Sequence, residues 1–292
     1  MRSPRKGNRI EVQGHRGCRG LVPENTLPAF ERALDLRVDA IELDLHLSRD
    51  GHVLVTHDPY PLPSICRSIE VLPAYPPPYG ELELERIQST YIADLNPNPR
   101  AFPRQDPGFC GLISPRLMRQ AASVFSPPTL VQVFELIDHY GVVHPQAKAY
   151  TDRVRLELEI KRPLHTTLGP YAGQFEERVS SLVQAWRQTV VSVRSFSTRT
   201  LHLFKPSTSL EKALLTQDAC LDPVAQTRSA GARVWSPHYR TLTRSLVAEV
   251  RHNGLQVVPW TVNEPEEMRI LLSWQVDGII TDVPDTLISL LN

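Results

Sequence analysis

The sequence predicts an α/β fold of the (β/α)8 TIM-barrel type, and three observations carry that prediction. Short apolar runs alternate with helix-like stretches along most of the chain, which is the signature of parallel βαβ units. Nine such runs can be counted. One of the nine cannot lie parallel to the run before it, which leaves eight, the number that closes this barrel.

The runs, in order, are RIEVQ (9–13), AIELDLHL (40–47), VLVTHD (53–58), RLELEIK (155–161), VVSVRSF (190–196), KALLT (212–216), RVWSP (233–237), LQVVPWT (255–261) and DGIITD (277–282). Between them stand stretches with helical period, such as TLPAFERALDL, TLVQVFELIDHY, QFEERVSSLVQAW, TRSLVAEVRHN and EPEEMRILLSW. VLVTHD follows AIELDLHL after five residues, and a parallel crossover needs roughly a dozen. The connection contains Asp50-Gly51, a dipeptide that favours a tight hairpin turn. VLVTHD is therefore expected to run back antiparallel. A two-residue loop at Asp50-Gly51 pairs Arg49 with His52 and, further down, Asp44 with His57. An open doubly wound sheet is the alternative architecture, but its glycine-rich loop opens directly into a helix. Here Pro23 and Glu24 intervene, and no G-x-G-x-x-G or G-x-x-x-x-G-K occurs.

Residues 59–128 break the rhythm. They hold 14 of the 26 prolines and no strongly periodic segment beyond a short helix expected near 114–124. Unstructured stretches of this length inside a compact domain are usually functional or disordered. The block reads as an insertion within a single domain spanning 1–292. It leaves the barrel just after His57, so it is expected over the mouth where His57 ends up.

Composition narrows the function. Lys plus Arg and Asp plus Glu both number 32, so the net charge is zero. That balance offers no electrostatic footprint for nucleic acid or an anionic membrane. No apolar run is long enough to cross a bilayer. The basic start MRSPRKGNRI is not followed by the apolar core of a signal peptide, so a cytoplasmic location is expected. Cys18, Cys66, Cys110 and Cys220 follow no metal-site spacing and are expected as free thiols.

Two strands carry charge where a core should be. In AIELDLHL, Ile41, Leu43, Leu45 and Leu47 share one face while Glu42, Asp44 and His46 share the other. In RLELEIK, Arg155, Glu157, Glu159 and Lys161 form the charged face. In a barrel the apolar face packs on the helices and the charged face points inward or up at the mouth. Buried carboxylates are costly unless paired or bound to a metal. Glu42, Asp44 and Glu159 offer hard oxygens to one point, which suits one divalent cation, Mg²⁺ or Ca²⁺, better than zinc. His15 and His57 each follow a strand directly, and strand ends line the active site of barrel enzymes. Two imidazoles there can serve as general acid and general base. Arg16 and Lys161 are cationic donors suited to a phosphate. His46 competes with His57 but lies further up the hairpin.

These residues carry a resemblance. His15-Arg16-Gly17, Pro23-Glu24-Asn25-Thr26, Glu42-Leu43-Asp44, Asp50-Gly51, His57-Asp58, Glu159-Ile160-Lys161, Ser195-Phe196, Trp260-Thr261-Val262-Asn263 and Gly278 to Asp282 stand in the order and spacing of the glycerophosphodiester phosphodiesterase family. The chain resembles that family over roughly residues 10–290. The resemblance implies a distorted (β/α)8 barrel and metal-dependent hydrolysis of a glycerophosphodiester to glycerol 3-phosphate and an alcohol. It implies His15 and His57 as the acid/base pair, and Glu42, Asp44 and Glu159 as metal ligands. Arg16 and Lys161 become phosphate contacts, Asn25 a support of the first loop grouped with the substrate contacts, and Trp260 a wall of the glycerol pocket. The small-molecule substrate is the partner implied. One departure is Arg37-Val38-Asp39, where the family has a glycine before the E-x-D strand.

The free hydroxyl beside the phosphoester oxygen of such a substrate is an intramolecular nucleophile, so a cyclic phosphate intermediate is expected. A lysophospholipase D or sphingomyelinase-D-like phosphodiesterase on the same scaffold is an alternative, favoured by an apolar mouth. A catalytically silent barrel that binds phosphoesters is another.

Overall fold

The computed structural model describes residues 9–71, 76–161, 173–186, 191–204 and 210–292. Val190, at the start of one predicted strand, lies outside them. The strands are β1 (Glu11–Gly14), β2 (Ala40–Leu47), β3 (Val53–Val55), β4 (Arg67–Ser68), β5 (Tyr91–Ile92), β6 (Arg155–Ile160), β7 (Val191–Ser195), β8 (Leu210–Thr216), β9 (Val234–Pro237), β10 (Gln256–Val257) and β11 (Gly278–Thr281). Eight of them form a parallel sheet in the order β10-β9-β8-β7-β6-β2-β1-β11. Its two ends meet through backbone bonds from Asp277 N to Val257 O at 2.9 Å and from Ile280 N to Pro259 O at 3.0 Å. The result is a nearly closed barrel with helices between the strands.

The alternation in the strands sets the layers. Ile41, Leu43 and Leu45 of β2 and Leu156, Leu158 and Ile160 of β6 join the main core under the helices. Helix Leu27–Asp35 begins where Thr26 accepts from Ala29 N, with a proline in its first turn, and it buries Phe30 and Leu34 completely. Helix Leu130–Val143 opens on a capping box of Thr129 and Gln132. Inside the barrel, β8, β9 and the chain around β10 and β11 contribute a small apolar cluster of Ala213, Val234, Val258 and Ile280. The other strands contribute charge.

The hairpin register differs from the two-residue expectation. Leu45 pairs with Val55 and Leu47 with Val53, and Thr56 N, not His57, bonds to Asp44 O at 3.0 Å. The loop has three residues, Arg49 to Gly51, because Gly51 adopts φ +80° and Ser48 O accepts from Gly51 N at 3.0 Å. That is a turn closed by a left-handed glycine, a common alternative to the two-residue loop. The extra residue slips the ladder by one. The ladder ends at Val55, and His57 is placed by the bend beyond it.

The insertion carries more structure than its composition suggests. Besides the helix Ser114–Leu117 it forms the helix Leu84–Thr90 and the small antiparallel pair β4 and β5. Helix Leu84–Thr90 has no side-chain cap of its own. The Asp50 carboxylate in the hairpin loop receives Leu84 N at 3.2 Å instead, a cap from a remote part of the chain that local pattern cannot reveal. Leu54, Tyr79, Ile87 and Tyr91 then pack together. At its far end the insertion is fastened by Glu31, which is buried on the first helix. Its carboxylate accepts from Leu112 N at 2.6 Å, Ile113 N at 3.0 Å, Ser114 N at 3.0 Å and Ser114 Oγ at 2.7 Å.

Where the family glycine is missing, Arg37 holds a left-handed φ of +58°. Its guanidinium lies 5.1 Å from the centre of the Tyr150 ring, a cation–π contact that offsets part of the backbone cost.

The barrel floor is a buried ion network. Arg155 reaches Glu11 at 2.9 Å and Glu157 at 2.6 Å, and Arg194 reaches Glu157 at 2.5 Å and Gln13 at 3.1 Å. Burial alone would raise the Glu157 carboxyl, but Arg194 and then Arg155 outweigh it and hold it at about 2 against an ordinary 4.5. A carboxylate depressed by folding adds stability above its unfolded value and loses it as pH falls through the folded one. Glu157→Gln should therefore be less stable than wild type by about 3 kcal/mol at neutral pH. The gap should close between about pH 4.5 and about 2. Urea titrations across that range measure it, and a gap that does not change with pH would remove this charge from the account.

Candidate active site

The loop after β1 is shaped by close approach. A Cβ on Gly14 would stand 2.0 Å from Gly17 O, and Gly17, at φ +89°, already packs against the Ala29 backbone. Arg16 and Asn25 hold left-handed φ values of 49° and 54°, a strain tolerated where the surroundings fix the backbone. The fold brings the ends of β1, β2, β6 and β7 together around one cavity of about 390 Å³. Its lining includes His15, Arg16, Glu42, His57, Glu159, Lys161 and Trp260.

Ligand atoms of Glu42, Asp44 and Glu159 all lie within 4.8 Å of one another, and all three residues are buried. The register explains this: Asp44 stands beside Glu159 across β2 and β6, with Glu42 one layer below. Burial, then the charges of Asp44 and Glu159, push the Glu42 carboxyl well above its usual range. Asp44 behaves oppositely. Burial would raise it, but Lys161 and then Arg16 hold it well below the usual range. Lys161 Nζ bridges Asp44 at 3.1 Å and Glu159 at 2.6 Å, while Arg16 spans Glu24 at 2.5 Å and Asp44 at 3.2 Å. Asn25 does not line the cavity. Its amide donates to Asp44 Oδ2 at 2.8 Å and its oxygen receives Asp44 N at 3.3 Å.

Each cavity histidine has its own carboxylate. His15 Nδ1 lies 2.6 Å from Asp282 Oδ1, and His57 Nδ1 lies 3.2 Å from Asp58 Oδ2. Burial lowers the His15 pKa despite the opposing pull of Asp282. Asp282 would be raised by burial, yet His15, Arg19 and the amide of Asn263 at 2.7 Å hold it low. An ionised Asp282 can only accept, so His15 donates from Nδ1. That leaves Nε2 as a lone pair, 3.9 Å from Glu42 Oε2. His46 turns away from catalysis and bonds through Nε2 to the carbonyl of His57 at 3.0 Å. Trp260 forms part of the cavity wall, held by its indole N–H on Ser236 O at 2.9 Å and by the edge of Phe196 at 5.5 Å between ring centres.

Sequence reasoning assigned no role to Asp282, Asn263, Asp58 or Arg194. For Asp282 the available signal was its position directly after β11, the same strand-end rule that selects His15. The described residues of the insertion line a neighbouring small pocket shared with His57, among them Tyr60, Ile65 and Tyr79. The insertion also holds the first loop, through Gln105 Nε2 to Arg19 O at 2.7 Å and Asp106 N to Leu21 O at 2.7 Å. No helix among the described residues is long and apolar enough to cross a membrane, and all four cysteines are free.

The chain is similar in sequence and fold to known proteins. The sequence profile of the glycerophosphoryl diester phosphodiesterase family matches residues 15–286. The chain is 31% identical over 280 residues to a glycerophosphodiester phosphodiesterase of Caldanaerobacter subterraneus, covering 96% of both chains. It is 28% identical to a Bacillus subtilis glycerophosphodiester phosphodiesterase, over 96% of this chain and 87% of that one. Among solved structures, a Silicibacter pomeroyi protein assigned as a glycerophosphoryl diester phosphodiesterase superposes with a TM-score of 0.81 at 28% identity. That match covers 97% of this chain and 93% of the other.

The His15–Asp282 pair makes a direct test. Asp282→Asn would present an amide to Nδ1 and favour the wrong tautomer. Its kcat for hydrolysis of glycerophosphocholine should fall by about 10²-fold or more with KM and melting temperature nearly unchanged. Steady-state kinetics with thermal unfolding separates this from a folding defect; a kcat within about threefold of wild type would end the assignment.

Proposed function

The chain belongs to the glycerophosphoryl diester phosphodiesterase family, and from that premise we propose that it hydrolyses glycerophosphodiesters to glycerol 3-phosphate and an alcohol by two-histidine acid/base catalysis with one divalent cation. The observation that carries this reading is the pair of carboxylate-partnered histidines facing a single cluster of three buried carboxylates in one cavity.

The donor set fits a hard cation. Glu42, Asp44 and Glu159 are all carboxylates and crowd one another enough to raise Glu42. They would hold Mg²⁺ or Ca²⁺, which when bound would supply Lewis-acid neutralisation of charge on the phosphoryl oxygens. The protein's own residues do the rest. His15, with Nδ1 committed to Asp282, has Nε2 free to take a proton from the hydroxyl adjacent to the phosphoester oxygen. His57, oriented by Asp58, gives a proton to the departing alcohol. Arg16 and Lys161 add positive charge beside the phosphate. Trp260 and Phe196 wall the side on which the glycerol carbon skeleton rests. A cyclic phosphate forms in the first half, and water opens it with the two histidines exchanging roles.

Two measurements test the reading. Chelation should abolish hydrolysis of glycerophosphocholine or glycerophosphoethanolamine, and Mg²⁺ or Ca²⁺ should restore it. Glu159→Gln should then need about tenfold or more metal for half-maximal activity, in line with the loss of a charged ligand. Full activity after chelation would exclude the cation. For the cyclic route, a substrate analogue lacking the adjacent hydroxyl should be hydrolysed at least about 10²-fold more slowly. Equal rates would mean that water attacks the phosphorus directly.

A further inference from the structure

Among the cations that line the cavity, Arg16 and Arg19 each bury an Nε without a hydrogen bond but at ion-pair distance from a carboxylate, whereas Arg194 buries two nitrogens without a hydrogen bond. Arg16 is engaged by Glu24 and Asp44, Arg19 by Glu24, and Lys161 by Asp44 and Glu159. Arg194 is 1% exposed and lies on β7 directly beside Glu159. Among the described residues only its Nη2 is engaged, on Glu157 at 2.5 Å and Gln13 at 3.1 Å. Its Nε and Nη1 are buried with no hydrogen-bond partner among the described residues, although the side chain borders the cavity. A buried guanidinium with idle donors costs free energy unless something fills them, and a floor brace alone would need only the nitrogen already engaged.

Its place in the barrel indicates what fills them. One side of Arg194 is the carboxylate cluster of β2 and β6. On the other, its β8 neighbour is Ala213, which opens the apolar half of the interior with Leu215 and Ile280 on the cavity wall. A group seated there must carry negative charge and join a polar end to a carbon skeleton, as a glycerol phosphate does. We infer that Arg194 is a substrate-contacting residue whose Nε and Nη1 groups donate to a non-bridging phosphoryl oxygen of the substrate and of the phosphorylated product. The inference rests on the phosphodiesterase reading for the identity of the phosphoryl group.

Binding separates this inference from that reading, because inorganic phosphate binds without turnover. Isothermal titration of the magnesium-loaded protein with inorganic phosphate and with glycerol 3-phosphate is the measurement, and wild-type hydrolysis of glycerophosphocholine tests the activity separately. Arg194→Gln should weaken both ligands by about tenfold or more, the size of one charge-assisted hydrogen bond. Arg194→Lys should recover part of the loss. Glu157→Gln, which disturbs only the brace, should bind phosphate as wild type does. If Arg194→Gln folds poorly, the double variant Arg194→Met with Glu157→Gln removes both charges and should show the same weakened phosphate binding. Phosphate affinity within about twofold of wild type in Arg194→Gln or the double variant would leave Arg194 as a brace for Glu157 and overturn the inference.

Discussion

Asp44 carries its charge at 1% exposure because donors from two separate stretches of chain converge on it. The Asn25 amide and Arg16 come from the loop after β1, and Lys161 directly follows β6. A buried carboxylate without such partners would take up a proton and lose its use as a hard ligand. Asp44 also shares its neighbours. Lys161 is shared with Glu159 and Arg16 with Glu24, which in turn holds Arg19. The loop, the second strand and the sixth strand are therefore positioned by one set of charges. The unusual backbone of Arg16 and Asn25 follows from it, since both side chains must reach Asp44 from a loop that has only a few residues in which to turn.

That requirement divides the barrel interior. Strands β1, β2, β6 and β7 carry inward carboxylates, amides and guanidinium groups, while the middle of the interior side of β8 through β11 is apolar. The charges around Asp44 are balanced among β1, β2 and β6, and at the mouth His15 is balanced by Asp282 after β11. The cavity spans the boundary. A molecule with an anionic end and a short carbon skeleton matches both halves at once, and neither a free hydrocarbon nor a free polyanion does.

Much of this was legible in the chain. Strict alternation in AIELDLHL and RLELEIK announced strands with one apolar and one charged face, and the positions of His15 and His57 just after strands announced a shared mouth. Three things were not legible, each for a physical reason. The hairpin register turned on whether Gly51 closes a three-residue loop, a choice of one dihedral that the Asp-Gly pair leaves open. Helix Leu84–Thr90 depends on Asp50, more than thirty residues away, for its first hydrogen bond, so its own residues give little signal. The roles of Asp282 and Arg194 depend on side chains from strands far apart in the sequence meeting one another, and single-strand periodicity does not reveal which strands become neighbours.

Glu31 gives the insertion an unusual liberty. It gathers four donors from residues 112–114 onto one buried carboxylate of the first helix, while the near end is tied to the hairpin through Asp50 and Leu84. The segment is thus sutured at both ends to elements that the barrel needs anyway, and Gln105 and Asp106 tie its middle to the first loop. Loop closure grows costlier only slowly with length, so residues strung between these ties can be lengthened, shortened or rewritten without disturbing the carboxylate cluster. In this architecture the segment beside His57 is a collar with a few fixed stitches, and variation can accumulate between them while the carboxylate cluster stays in place.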